Sequence, residues 1–122
     1  LIDTSNIRLA DGSGVSRYNL TSSAQLISLL KWMYNSEYKD DFISTLPGGG
    51  WKNSTLKKRL TNEGDLVRAK TGGLSGVRNL AGYIKSKKYG DVAFSILMNG
   101  YTDYSSRYAR VHDQIVKTII YD

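Results

Sequence analysis

Val67-Arg68-Ala69-Lys70-Thr71-Gly72-Gly73-Leu74-Ser75-Gly76-Val77 is the stretch on which the reading of this chain turns. Two β-prone runs, Leu66 to Ala69 and Val77 to Ile84, flank a Lys-Thr-Gly-Gly core. That core combines a fixed cation, a neighbouring hydroxyl and two residues without side chains. Glycine at such a place lets a ligand or another backbone come close. A lysine at the end of the strand can hold a carboxylate while free N–H and C=O groups pair with a peptide. The combination suits a peptide-like substrate with an acidic end.

Downstream, Gly76 to Lys85 reads as a second strand, Lys87-Tyr89-Gly90 as a turn, and Asp91 to Met98 as a third strand closed by Asn99-Gly100. Short turns between consecutive strands imply an antiparallel meander. Ser105 to Ile120 follows as a helix, with Tyr108, Val111, Ile115 and Ile119 as the apolar stripe expected to pack on the sheet.

Upstream, Leu1 to Ala10 has little periodicity and reads as extended. Asp11-Gly12-Ser13-Gly14-Val15-Ser16-Arg17-Tyr18-Asn19 is a glycine-spaced polar loop. Thr21 to Tyr34 is a helix with Leu26, Leu29, Leu30 and Met33 at helical spacing, and Ser22 with Gln25 forms a capping box. A second short helix is expected over Glu37 to Leu46, ended by Pro47-Gly48-Gly49-Gly50. Trp51 to Leu60 reads as a short amphipathic turn or helix, and Asn62-Glu63-Gly64-Asp65 as a loop into the central strand. Helices, then three strands, then a helix define an α+β chain, an antiparallel sheet with packed helices.

The 122 residues make one domain at most, with 40% hydrophobic and 23% charged residues, ordinary for a soluble globular chain. No apolar run approaches the roughly 20 residues of a membrane-spanning helix. The chain begins with Leu1 rather than Met, which suggests a processed product or an internal fragment. Cysteine is absent, which fits a periplasmic or secreted protein without disulfides and a cytosolic one equally. The net charge of +6 favours an anionic partner: nucleic acid, an anionic membrane surface or an anionic cell-wall polymer. The clusters Lys57-Lys58-Arg59 and Lys85-Ser86-Lys87-Lys88 read as solvated faces, and no nucleic-acid motif or aromatic-basic interleaving accompanies them.

The central stretch resembles the third motif of the penicillin-recognising serine acyl-transferases, which carry a Ser-x-x-Lys, a Ser-x-Asn and a Lys-Thr-Gly. Arg68-Ala69-Lys70-Thr71-Gly72, followed by Leu74-Ser75-Gly76-Val77 and Leu80-Ala81-Gly82-Tyr83, is similar to the D-alanyl-D-alanine carboxypeptidase/endopeptidase family, the class C low-molecular-mass penicillin-binding proteins. The Asp11 to Arg17 loop also resembles a loop of that family, with Val15 in place of leucine, and in the same order.

The resemblance implies a bacterial, periplasmic or extracytoplasmic enzyme that hydrolyses peptidoglycan stem peptides through an acyl-enzyme and is acylated by β-lactams, with no metal or cofactor. It implies roles for individual residues. Lys70 stabilises the substrate carboxylate and tunes nearby protonation, Thr71 hydrogen-bonds that carboxylate, and Gly72 keeps the strand open. Gly73 stands where the family usually has threonine or serine. Its N–H would be one of two oxyanion donors, a contact of about 3 kcal/mol elsewhere, while the hydroxyl is lost. Leu74 and Ser75 line the pocket beyond, and Arg17 binds the carboxylate of the substrate's diamino acid.

Such chemistry needs a serine nucleophile activated by a lysine one helical turn later. Ser28 to Lys31, Ser36 to Lys39 and Ser54 to Lys57 match that spacing, at a frequency chance supplies. Ser28 lies inside a helix, the other two in loops or short exposed helices, and all three stand too near the Lys-Thr-Gly. No Ser-x-Asn occurs. Residues 1–122 are therefore expected to be the C-terminal portion of one catalytic domain, inactive alone, with apolar surface exposed where the N-terminal portion docks. Oligomeric state is not legible.

Other residues read as structural. His112 is the sole histidine and offers no metal site. Tyr101, Tyr104 and Tyr108 read as packing residues, and Asp40-Asp41 as a solvated helix face. Two alternatives remain: a serine β-lactamase, against which the Asp-Gly-Ser-Gly loop and Arg68-Ala69 argue, and a non-catalytic module binding cell-wall peptides.

Overall fold

The fold follows from the meander and the three helices around it. The computed structural model describes residues 3–122, so the first two residues of the extended Leu1 to Ala10 segment lie outside the described residues. In chain order the elements are α1 (Ser23–Tyr34), α2 (Lys39–Thr45), a 3-10 turn (Gly64–Leu66), β1 (Val67–Leu74), β2 (Val77–Ser86), β3 (Gly90–Asn99) and α3 (Ser105–Tyr121). The sheet is antiparallel in the order β1-β2-β3. Gly76 (φ +71°) and Gly90 (φ +71°) supply the left-handed residues at the two hairpin turns.

β1 does not stop before the Lys-Thr-Gly-Gly core; it runs through it to Leu74. The Lys-Thr-Gly-Gly core is thus strand, as expected, and every core residue has a partner on β2: Lys70 with Ala81, Thr71 with Leu80, Gly72 with Asn79, Gly73 with Arg78. Pairing with β2, itself held on its other side by β3, keeps in a strand glycines that would not form one by propensity.

Strand alternation sorts the side chains onto two faces. On one face Val67, Ala69, Leu80, Ile84 and Phe94 form the main core with Val116 and Ile120 of α3 and with Leu56 and Leu60. On the other, Tyr83 packs with Leu30 of α1 and Leu46, and the Tyr83 hydroxyl donates to the Leu30 carbonyl at 2.7 Å. Each fully buried leucine here contributes about 2 kcal/mol of transfer free energy. Gly82 allows the closest approach in the sheet: a Cβ there would stand 2.1 Å from the Arg68 carbonyl oxygen.

The capping box at Ser22 and Gln25 is present. Of the turn or helix expected over Trp51 to Leu60 the structure has turns, because Leu56 and Leu60 are drawn separately into the core and Gly50 bonds back to Leu56 and Arg59. Two expectations need correction. The buried face of α3 is Ala109, His112, Val116 and Ile120 rather than Tyr108, Val111, Ile115 and Ile119. Both arcs are apolar enough to face a sheet; successive residues lie about 100° apart around a helix, and small Ala109 lets the backbone approach on its own side. Val111 and Ile115 remain 44% and 38% exposed, while Ile119 borders the core. On α1, Leu30 is the buried residue and Leu29, counted in the expected stripe, is 39% exposed. Leu9, Val15, Leu20 and Trp32 are each more than half exposed as well.

Candidate functional site

The site is built on the outer edge of β1. Up to Ala69 that edge is covered: the Ala69 N–H donates to the Pro47 carbonyl at 3.0 Å, and Gly48 bridges to Arg68. Residues two apart on a strand address the same neighbour. Thr71 and Gly73 therefore turn their N–H and C=O groups outward as Ala69 does. The chain before Pro47 leaves the edge as α2, and no backbone hydrogen bond among the described residues covers Thr71 or Gly73, so the edge at 71–73 is open to an extended ligand.

Lys70 is exposed, and its Nζ curls to the edge and donates to the Thr71 carbonyl at 2.7 Å. Thr71 projects to the opposite face, where its Oγ1 lies 2.8 Å from Thr55 Oγ1 in a hydroxyl–hydroxyl hydrogen bond. A Cβ on Gly72 would meet only the Asn79 side chain, at 3.5 Å and beyond. A Cβ on Gly73 would meet Arg78 Nη1 at 3.3 Å.

On the α1 side of the sheet an open cavity of about 480 Å³ runs beside this edge. Gly72, Gly73 and Leu74 of β1, Asn79 of β2 and Leu97 of β3 form its floor, and Arg17, Asn19 and Leu20 its opposite wall. That wall is a tied loop. The Asp11 carboxylate accepts from the N–H groups of Gly14 (2.7 Å) and Ser16 (2.8 Å) and from Asn19 Nδ2 (3.0 Å). Asn19 Oδ1 in turn accepts from the N–H of Ala10 at 2.7 Å. The Asn19 contact, with these N–H groups, holds the Asp11 carboxyl below its ordinary range. Arg8 and Leu20 exchange backbone hydrogen bonds and close the loop's base. Arg17 Nη2 donates to the Ser75 carbonyl at 2.8 Å, which fastens the loop to the β1–β2 turn.

Beneath the opposite face lies a polar cluster. Arg59 pairs with Asp113 at 2.8 Å and also donates to the Ala109 carbonyl. His112 is fully buried and both ring nitrogens lack a partner among the described residues. Burial first, then the Arg59 cation and to a lesser extent Arg78, push its pKa down to about 4, against an opposing pull from Asp113. His112 is thus a neutral core residue, the structural role expected of it.

The structure brings Arg17, Gly72, Gly73 and Leu74 together at one cavity; Lys70, two residues before Gly72 on the same strand, does not line it. Thr71 faces away from the cavity floor, because strand alternation puts it on the side of Thr55. The hydroxyls of Ser28, Ser36 and Ser54 donate to the carbonyls of Ala24, Met33 and Trp51. Sequence reasoning missed Asn79, Thr55 and Arg78. The first and last could have been found by counting the hairpin register back from Ser75-Gly76; nothing local marks Thr55.

An open strand edge carrying a lysine thus lies beside a cleft walled by a tethered arginine loop. The profile of the D-Ala-D-Ala carboxypeptidase 3 (S13) family matches residues 1–119, and the chain belongs to that family of peptidases. It is 36% identical over 107 residues to the D-alanyl-D-alanine carboxypeptidase of Actinomadura sp. (strain R39), which covers 83% of this chain and 20% of that protein. The crystal structure of penicillin binding protein 4 from Haemophilus influenzae superposes with a TM-score of 0.86 at 30% identity, over 99% of this chain and 29% of the other. The same protein complexed with a β-lactam matches with a TM-score of 0.84, also at 30% identity, over 96% and 29%. The chain thus spans about a fifth of the length of the curated relative it matches.

No helix among the described residues is long and apolar enough to cross a membrane.

Proposed function

We propose that this chain supplies the substrate-binding strand of a serine D-Ala-D-Ala carboxypeptidase/endopeptidase, as the C-terminal portion, residues 1–122, of its catalytic domain. The observation that carries the reading is the open edge of β1 at Thr71 and Gly73 with Lys70 Nζ folded onto it. A stem peptide ending in D-Ala-D-Ala lies antiparallel to that edge and completes its hydrogen bonds. The Gly73 N–H points at the place where the scissile carbonyl oxygen gains charge and so serves as an oxyanion donor. Lys70 and Thr71 receive the terminal carboxylate, Gly72 and Leu74 shape the cleft, and Arg17 faces the diamino acid from the opposite wall.

The nucleophilic serine, its lysine and the Ser-x-Asn pair belong to the N-terminal portion of the same domain, outside this sequence. That portion is the chain's principal partner, and the exposed apolar residues of α1 and the N-terminal loop, on one side of the sheet, would be covered by it. The reaction is acylation of the serine with release of the terminal D-alanine, then hydrolysis of the acyl-enzyme. The substrate places the enzyme outside the cytoplasm, and β-lactams act as acylating mimics.

The test is labelling of the intact protein with a fluorescent penicillin, resolved on a denaturing gel. Covalent label that maps outside these 122 residues, and that falls at least tenfold in rate in Lys70→Ala, is the expected result. Label on Ser28, Ser36 or Ser54, or labelling indifferent to Lys70→Ala, would sink the proposal. Retention of stem peptides without any acylation would point instead to a binding module.

A further inference from the structure

The glycine at position 73 is not demanded by the backbone. Its φ lies outside the left-handed region, in a regular strand paired residue for residue with β2. What the missing side chain provides is room. Arg78, its partner on the central strand, reaches across so that Nη1 stands 3.3 Å and Cδ 3.9 Å from where a Cβ at 73 would be. The guanidinium occupies the space a side chain at 73 would fill, directly over an exposed residue of the open edge.

Arg78 is otherwise uncommitted. Among the described residues its side chain makes no salt bridge and donates no hydrogen bond, and its Nε is buried without a partner. Asp113, which like Arg78 acts on His112, is taken by Arg59. By strand alternation Arg78 comes from the α3 face, whereas Lys70 comes from the α1 face and folds over to the Thr71 carbonyl. The edge between residues 71 and 73 is therefore flanked by one cation on each side. A planar guanidinium binds a carboxylate through two parallel N–H groups, which an ammonium cannot do.

We propose that Arg78 is a further carboxylate-binding and specificity-determining residue of this site, its guanidinium over Gly73 joining Lys70 and Thr71 in receiving the ligand's terminal carboxylate. The proposal rests on the reading of the β1 edge as the peptide-binding strand. It adds a planar contact from β2 to the contacts that β1 supplies. Ligands whose carboxylate is blocked as an ester or amide lose the contact.

The experiment compares acylation of the intact protein by benzylpenicillin and by its methyl ester, in wild type, Arg78→Gln, Arg78→Lys and Arg78→Ala. Glutamine keeps most of the stem and its packing, so a folded uncharged variant is available even where alanine is not tolerated. Wild type is expected to react at least tenfold faster with the acid. Arg78→Gln should remove most of that preference by slowing the acid, with the ester changed less than twofold, and Arg78→Lys should keep part of it. Adding Gly73→Ser to Arg78→Ala should restore part of the preference through a hydroxyl. Equal slowing of acid and ester would mean a merely structural role and overturn the proposal, as would an unchanged preference in Arg78→Gln. Wild-type protein that reacts with neither compound would instead bring down the reading of the edge itself, and Arg78 with it.

Discussion

Arg59 and Asp113, separated by 54 positions in the chain, form a salt bridge at 2.8 Å with side chains only 11% and 17% exposed. The pair fastens the turn segment before β1 to α3, and Arg59 Nη2 adds a hydrogen bond to the Ala109 carbonyl at 3.1 Å. Removing one partner leaves the other charged and largely desolvated. Arg59→Ala and Asp113→Ala are each expected to cost about 3 kcal/mol, read by urea unfolding of the intact protein. The double variant should cost clearly less than the two singles together. Additive losses would show that the pair is not coupled.

His112 gives a pH signature. Its pKa in the fold is about 4, depressed by burial and by Arg59 and Arg78, against an ordinary 6.5. The unfolded chain therefore binds a proton that the folded chain refuses between those values. Stability is fully present above pH 6.5 and falls as the pH drops toward 4, by up to about 3 kcal/mol from this group. His112→Leu leaves no ring nitrogen to protonate and should flatten the unfolding profile within that window. A slope unchanged by the substitution would assign it to other groups.

Gly82 is set where β1 and β2 press together. A Cβ there would stand 2.1 Å from the Arg68 carbonyl oxygen and 2.6 Å from Ala69 Cα, and both are main-chain atoms that cannot swing aside. Gly82→Ala must part the strands beside Lys70, at a cost of about 3 kcal/mol or more, with loss of penicillin acylation. Gly12→Ala, which meets nothing within 4 Å, is the comparison and should shift stability by under about 0.5 kcal/mol. Similar behaviour of the two variants would contradict the close approach.

Thr55 holds the Thr71 hydroxyl through a 2.8 Å hydrogen bond. Thr55→Val keeps the volume and frees that rotor. One such bond is worth about 1 kcal/mol, so KM for a D-Ala-D-Ala peptide should rise about fivefold with kcat nearly unchanged. A fall in kcat with unchanged KM would show that Thr55 acts on the chemical step and not on binding.

The sequence by itself determined the order of elements, the antiparallel meander and the motif strand, because these depend on local patterns: glycine turns, β-branched runs, a capping box at Ser22 and Gln25. It also led to Arg17, Gly72, Gly73 and Leu74, which the structure gathers at one cavity from segments far apart in the chain. Tertiary structure alone decided three other things. The rotation of α3 put His112 inward and Val111 and Ile115 outward, since two apolar arcs on one helix are equivalent until a sheet selects the one with small Ala109. The turns of residues 51–63 are held by long-range burial of Leu56 and Leu60, which no local propensity records. The placement of Arg78 over Gly73 depends on strand register and on the length of a flexible side chain, and both are fixed only when β1 and β2 pair.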